Sequence, residues 1–467
     1  MSRNTTLSLM LAALWLGGCT LAPTYERPAA PVPAAWQAPG EGQQAAADVE
    51  WQAFFSDQRL RDVITQALAN NRDLRVSAAN IEKARAQYQI QRAALLPAVN
   101  ASASETASRT PAAMSASGRD TISHTYSAGV GFSAWELDVF GRVRSLKDQA
   151  LAQYLALEET QRSVELSLVA EVANVWLTLA ADRERPDLAA ATLQAQRESL
   201  ALVERRLEVG TASALDLAQA RTVVESARYD VARYTTAVAQ DENLLTLLVG
   251  TQVPAEWLPA SLPDQVSTLA GLPAGLPADT LLARPDVRAA EQQLIAANAN
   301  IGAARAAFFP RISLTASTGF ASPELSDLFQ AGSRTWSFVP QITLPIFNAG
   351  ANRAALNAAE AGRDAQVAQY EKAIQSAFRE VADALVARAN LGEQLDAQQA
   401  LNEAASEALR LSRARYEKGV SAYLAVLDSQ RSEYAARQGL VGARQAQHAN
   451  FITLYKVLGG GTAVRSE

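Results

Sequence analysis

The chain has 467 residues, and its 42 Lys and Arg against 48 Asp and Glu give a formal net charge of −6 at pH 7. This mildly acidic balance differs from the basic surface of proteins that bind phosphate backbones, so we expect no nucleic-acid partner. One Cys and two His exclude a disulfide framework within the chain and disfavour a zinc site.

The N-terminus has the pattern of a secretory signal. Arg3 precedes an apolar stretch, residues 7–16, that is too short to span a bilayer. The stretch leads into Leu-Gly-Gly-Cys19, which resembles a bacterial lipobox, and a cysteine directly after a signal favours lipidation over burial. We expect residues 1–18 to be removed, and Cys19 to carry diacylglycerol and palmitate that anchor the chain in outer-membrane lipid.

After a Pro-rich strap at residues 20–48, a second Pro-rich segment at residues 250–277 divides the chain into two similar halves. Asn71–Arg75 matches Arg284–Arg288, and Leu95–Pro97 matches Phe308–Pro310 at the same spacing along the chain. We infer a duplicated unit. The predicted segments are a lipidated Cys with an extended strap (19–50), a first repeat (51–249), a Pro-rich linker (250–278), a second repeat (279–461) and a tail (462–467).

Each repeat begins with a predicted helix that leads into two strands. In the second repeat Ile312 and Leu314 alternate with Ser313 and Thr315, which is the period of a strand with one wet face. The first strand of the first repeat has only alanines on its apolar side. The four predicted strands cover about 98–110, 121–137, 311–321 and 334–345.

A long helical hairpin follows the strands in each repeat. Apolar residues recur at spacings of three and four over about 142–209 and 350–418, the pattern of a coiled-coil seam. Sixty-odd helical residues would extend roughly 100 Å. Pro186 and Gly392 predict a kink or a side domain near the middle of each long helix.

The number of strands limits how this chain could span a membrane. Beyond the signal, no uninterrupted apolar run reaches the roughly 18 residues of a spanning helix, so a spanning mature chain would need a β-barrel. Four strands cannot close a barrel, and open edges are not tolerated in lipid. Two copies would give a barrel filled by its own side chains, whereas three would leave a lumen. The Ser- and Thr-rich strand faces favour three copies.

Several motifs, in the right order over nearly all of the mature chain, resemble the TolC-like outer-membrane efflux channels, specifically their lipoprotein (NodT-type) branch. They are Trp51, Phe54, Phe55, Asp57, Leu60 and Leu74, then Trp135 to Arg142, Arg284–Arg288, Leu344–Asn348, Tyr416 to Arg431, and Leu458–Gly461. The resemblance implies an α+β membrane protein that forms a homotrimeric duct. Its twelve-stranded transmembrane β-barrel, with four strands per chain, would continue into a long α-helical barrel in the periplasm.

The resemblance also implies partners and a cargo. The duct would be the exit of a tripartite efflux pump, docked to a periplasmic adaptor (membrane fusion) protein and an inner-membrane transporter of the RND type. It would conduct drugs or other small molecules passively to the exterior, a role linked to antibiotic resistance.

A gate is expected at the periplasmic end of the helical barrel. Leu424, Asp428 and Arg431 lie at i, i+4 and i+7, which places them on one helical face. The resemblance adds Arg415 and Tyr416 to these gate candidates. It also implies that the gate has one charged ring fewer and is held more weakly, because Ser421 stands where some relatives have aspartate. Spacing alone favours an ordinary solvated i,i+3 pair of Asp428 and Arg431, worth about 0.2–0.5 kcal/mol, over a gate, and the resemblance reverses this preference.

Two other classes of protein remain as alternatives. No hydrolase, zinc-protease or phosphate-loop motif is found in the sequence, so we do not expect an enzyme. A lipid-anchored periplasmic coiled-coil protein, structural or adaptor and without a channel, would use the same strands as a soluble sandwich. The alanine face of the first strand, a poor lipid contact, favours this second alternative slightly.

Overall fold

The computed structural model describes residues 20–36, 49–267 and 278–461. The predicted signal peptide, Cys19, the tail and part of the Pro-rich linker lie outside the described residues. The chain divides into two compact units. The sheet unit comprises Met1–Ala29, Asn80–Glu158 and Ala289–Tyr370, and the helical unit comprises Ala30–Ala79, Glu159–Arg288 and Glu371–Glu467.

The elements follow the same order twice, as expected of a duplicated unit. The first half contains α1 (Trp51–Phe54), α2 (Gln58–Asn70), α3 (Arg72–Ala93), β1 (Asn100–Thr110), β2 (Thr121–Leu137), α4 (Arg142–Glu208) and α5 (Ala214–Val249). The second contains α6 (Pro285–Ala306), β3 (Arg311–Ser322), β4 (Arg334–Thr343), α7 (Ala351–Glu417) and α8 (Tyr423–Val457). The predicted strands differ from these bounds by at most two residues at each end.

The two long helices, α4 and α7, have 67 residues each. The side domain expected near Pro186 and Gly392 is wrong, because both residues lie inside continuous helical segments. A proline removes one backbone donor and costs roughly 3 kcal/mol inside a helix. Packing offsets that cost in α4, where Ala180, Ala181 and Ala189 near Pro186 are fully buried.

The four strands form one antiparallel sheet in the order β1-β2-β3-β4. A β-bulge between Phe132 and Trp135 shifts the register of β2 against β3, and Ala134 there has a φ of 51°. Within the described part of the chain, the outer edges of β1 and β4 have no strand partner. The sheet is therefore open on both sides.

The register gives the sheet one apolar face and one polar face, as the alternation predicts. Ile312 pairs with Ile342, and Ala316 lies between Phe132 and Phe338, all on the apolar face. The polar face carries cross-strand serine pairs whose Oγ atoms lie 2.8 to 3.0 Å apart. These pairs are Ser104 with Ser127, Ser108 with Ser123, and Ser317 with Ser337.

The core of the helical unit gathers around the middle of α4. Trp176 is fully buried and donates from Nε1 to the carbonyl oxygen of Trp257 at 3.0 Å. Phe54 stacks on Tyr455 at 4.2 Å between ring centroids, and the Tyr455 hydroxyl donates to the Val49 carbonyl at 2.9 Å. Each large side chain buried in this way contributes about 1.5–3 kcal/mol of hydrophobic free energy.

No uninterrupted apolar run in the mature sequence is long enough to span a membrane. When mean hydropathy over 18 residues is used instead, one helix among the described residues is a candidate. Helix α4 contains an 18-residue window apolar enough to cross a membrane by length and composition. About half of that window, 56%, is buried inside the chain. Because Trp176, Leu177 and Leu179 of the same helix are fully buried, we assign this stretch to the core.

Candidate functional site

The predicted gate region lies where each long helix turns back. Gly210 and Gly419 occupy these turns with φ values of 77° and 72°, a left-handed conformation that glycine adopts at little cost. The two turns differ in how the next helix begins. Ser213 and Asp216 form a reciprocal capping box at the start of α5, whereas Ala422, the N-cap residue before α8, makes no side-chain hydrogen bond.

A small hydrophobic cluster packs the two hairpins together beneath these turns. Its members are Val203, Ala220, Val223, Leu409, Tyr423, Val426 and Leu427. Tyr416 lies against the cluster, 5.3 Å from Tyr423 between ring centroids, and the Arg206 guanidinium sits 4.6 Å above the Tyr416 ring. Burial raises the pKa of the Tyr423 phenol. Tyr416 therefore contacts residues of both hairpins.

Leu424, Asp428 and Arg431 lie on the exposed face of α8, as their spacing predicts. Leu424 is 56% exposed, whereas Val426 and Leu427 on the opposite side are buried. Neither Asp428 nor Arg431 forms an ion pair with another residue in the described part of the chain. The i,i+3 pair that the sequence allowed is thus not formed, and both charges remain available to other molecules.

Arg415 is held by its own turn. Its Nε donates to the Ser421 hydroxyl at 2.9 Å. A hydroxyl acceptor carries no charge, so this bond is weaker than the ion pair that a carboxylate at the same position would form. The five candidates therefore do not form one cluster: three share a face of α8, Arg415 braces the turn and Tyr416 packs inward.

Spacing alone did not reveal a cavity behind the exposed Asp428 and Arg431 side chains. It measures about 290 Å³ and is lined by residues that include Thr192, Ser226, Asp230, Tyr434 and Arg431. Gln196 donates from Nε2 to Oε1 of Gln430 at 3.0 Å across its wall, and both glutamines are buried. These residues come from different hairpins, so only the fold brings them together.

The two histidines have ordinary partners. The Nδ1 atom of His124 lies 3.1 Å from Oε1 of Glu105 on the neighbouring strand. His448 is buried, and its pKa is lowered by burial and by the nearby Arg444 guanidinium. No group of three or more potential metal ligands occurs within residues 20–36, 49–267 and 278–461.

Comparisons with known proteins agree with this arrangement. A profile of the family described as outer membrane efflux protein matches residues 63–251 and 276–460. The chain is 50% identical over 464 residues to the probable efflux pump outer membrane protein TtgC of Pseudomonas putida, covering 98% of this chain and 96% of that protein. It is 45% identical over 457 residues to the outer membrane protein OprJ of Pseudomonas aeruginosa, covering 97% and 95%.

Solved structures give the same result for the fold. The open state of the MtrE outer membrane channel of Neisseria gonorrhoeae is similar with a TM-score of 0.85 at 40% identity, covering 95% of this chain and 99% of that one. A structure of CusC, whose description refers to folding and transmembrane channel formation, is similar with a TM-score of 0.85 at 42% identity, covering 95% and 100%.

Proposed function

The chain belongs to the outer membrane efflux protein family, and from this membership we propose that three copies form the exit duct of an efflux pump in the bacterial outer membrane. The duct conducts drugs or other small molecules passively to the exterior, which is transport and not catalysis. The observation that carries this proposal is the open four-stranded sheet with two unlike faces.

The open edges of this sheet need partners from other copies. In lipid, every backbone N–H and C=O must be paired within protein, so β1 of one copy must pair with β4 of the next. Three sheets give twelve strands, which enclose a water-filled lumen lined by the serine and threonine face. The apolar face, with Phe338 and Ile342 exposed on the chain itself, then meets lipid.

The N-terminal strap supports a lipid anchor at Cys19. Arg27 forms a bidentate ion pair with Glu291 of α6, at 2.6 and 3.0 Å, and Asn298 donates to the Pro23 carbonyl at 2.7 Å. The strap thus follows α6 toward the helix end that leads into β3. Diacylglycerol and palmitate on Cys19 would enter the membrane beside the sheet.

The exposed charges on α8 support a periplasmic gate. In a trimer three Asp428 carboxylates and three Arg431 guanidiniums can pair between copies, because neither charge is paired within the described chain. Leu424 on the same face adds an apolar ring. Arg415 keeps the turn in place through Ser421, so the proposed lock relies chiefly on Asp428 and Arg431.

The hairpin turns are the proposed docking points of a periplasmic adaptor protein, which would connect the duct to an inner-membrane transporter of the RND type. Val209 and Val420 beside the turn glycines are 72% and 62% exposed, which is unusual for valine. Photo-crosslinkers at these two positions should capture the adaptor in intact cells. Crosslinkers on the exposed faces of α5 and α8 far from the turns should not.

The gate is tested by single-channel conductance in planar bilayers. We expect Asp428→Ala, and more strongly Asp428→Ala with Arg431→Ala, to raise conductance by about twofold or more, because the charges that hold the constriction are removed. Gln219→Ala, at the equivalent position of the first repeat, is the matched control and should leave conductance unchanged. Equal conductance in all three variants and the unaltered protein would contradict the gate.

A further inference from the structure

The polar face of the sheet is almost free of charge. In the fully described strands β1 to β4, the residues on this face are Ser, Thr, Asn, Gln, Gly and a few small apolar residues, with two exceptions. Glu136 pairs with Ser313, and Arg311 pairs with Thr343, at the end of the sheet that adjoins the helices. The Glu136 side chain is 10% exposed, whereas that of Arg311 is 59% exposed.

Glu136 is shared between two arginines. Arg142 contacts both of its carboxylate oxygens at 2.7 and 2.9 Å, and Arg311 donates from Nε to Oε2 at 2.6 Å. The neighbouring Asp138 is neutralised by Arg144 at 3.1 Å. One guanidinium charge therefore remains in excess at this end of the sheet.

Glu136, Arg142 and Arg311, which form a triad, also line a cavity of about 290 Å³ together with Phe309 and Pro310. The cavity has room for several water molecules or for an anionic group beside the guanidiniums. The Arg311 side chain is the exposed member of these three, and Glu136 contacts its Nε atom. Among the described residues no other partner holds this guanidinium, so its remaining N–H groups can donate to a solute.

We propose that Arg311 forms an anion-attracting ring at the periplasmic end of the barrel lumen. This inference rests on the proposed function, since the trimer brings three Arg311 side chains around one water-filled passage. Arginine rings select anions in other pores because they concentrate negative solutes. The rest of the lumenal face is neutral, so this ring sets the charge preference of the barrel and favours cargo that carries carboxylate or phosphate groups.

The test is the reversal potential in a KCl gradient, measured in planar bilayers with the full-length lipoprotein. The reversal potential is measured in the unaltered channel and in the Asp428→Ala/Arg431→Ala background. In that background the gate charges cannot hide the charge preference of the barrel. We expect Arg311→Gln to lower the Cl⁻/K⁺ permeability ratio by about threefold at 0.1 M salt, and Arg311→Glu to invert the preference toward K⁺. The effect should shrink at 1 M salt.

Arg334→Glu is the matched control. Arg334 also begins a strand, but its pairing with Phe320 places it on the apolar face, outside the lumen. It should leave the reversal potential unchanged. Conducting Arg311→Glu channels with the same reversal potential as the Arg334→Glu channels would overturn the anion ring and leave the duct intact. If the unaltered chain itself formed no conducting channel, the proposed function would be refuted instead.

Discussion

Asp241 is a residue whose charge opposes folding. It lies beside the buried Asp182 where α5 packs on α4, so that two carboxyl groups face each other in a partly buried site. Burial and the Asp182 carboxylate raise the pKa of Asp241 to about 6. The folded chain therefore loses stability as the pH rises from about 4 to about 6, because the unfolded chain releases this proton more readily.

Asp241→Asn should stabilise the protein at pH 7.5 by about 1–2 kcal/mol, a value reduced because the carboxyl is only partly buried. The difference from the unaltered chain should shrink as the pH falls through 6 and vanish near pH 4. Thermal unfolding of the detergent-solubilised protein at several pH values measures it. The exposed Asp383→Asn serves as control, and a pH-independent difference for Asp241→Asn would contradict the shared-charge explanation.

At this scale the sequence predicted which helical face a residue occupies but not which distant residues meet. The exposed positions of Leu424, Asp428 and Arg431 follow from the helical period, since spacings of four and three residues return to one side. The Asp182–Asp241 contact and the Glu136–Arg142–Arg311 triad join residues on separate elements. Their pairing depends on helix packing and strand register, which local periodicity does not specify.

The strap and α6 fit closely because α6 has a glycine at their point of contact. A Cβ atom on Gly302 would lie 2.6 Å from the Ser145 hydroxyl and 2.7 Å from the Ala22 backbone nitrogen. Backbone cannot move aside as a flexible side chain can, so even alanine should displace the strap from the helix. This close approach links the predicted lipid anchor to the sheet unit.

Gly302→Ala should make the strap easier to cleave. Tyr25 is hydrogen-bonded to Glu291 in the docked strap, and chymotrypsin should cut after it roughly tenfold faster in the variant than in the unaltered chain. The reason is that the clash raises the free energy of the docked strap by about 1–3 kcal/mol. Gly362→Ala is the matched control in α7, where an added Cβ meets nothing within 4 Å. It should leave cleavage unchanged, and equal rates in both variants would refute the role of Gly302.

At the scale of elements, the strands were easier to predict than the continuity of the helices. Alternation of apolar and hydroxyl residues located β2 at its observed bounds, since a strand with two unlike faces has a period of two. The side domain expected at Pro186 was wrong, because a local cost of roughly 3 kcal/mol was weighed without the packing term that lets α4 continue as a helix. That term arises only when α4 contacts the other helices.

For the whole molecule, the strand count was the informative feature of the sequence. A duplicated unit with two strands per repeat yields four strands, and the sheet indeed ends in two unpaired edges within the described chain. The coiled-coil lipoprotein without a channel, the alternative consistent with the same strands, would bury the apolar face in a monomer. The observed exposure of Trp336, Phe338 and Ile342 is the reverse of that arrangement.

Two adjacent residues of β4 separate these alternatives directly. Phe338 lies on the apolar face, and Ser337 lies on the polar face with its Oγ 2.8 Å from that of Ser317. Phe338→Lys should reduce the yield of heat-resistant trimers in the outer-membrane fraction severely, since a lysine facing lipid near the midplane costs about 2–4 kcal/mol per strand. Ser337→Lys should assemble normally because its side chain enters water. If Ser337→Lys blocked assembly and Phe338→Lys did not, the polar face could not line the lumen, and the twelve-stranded duct would have to be abandoned.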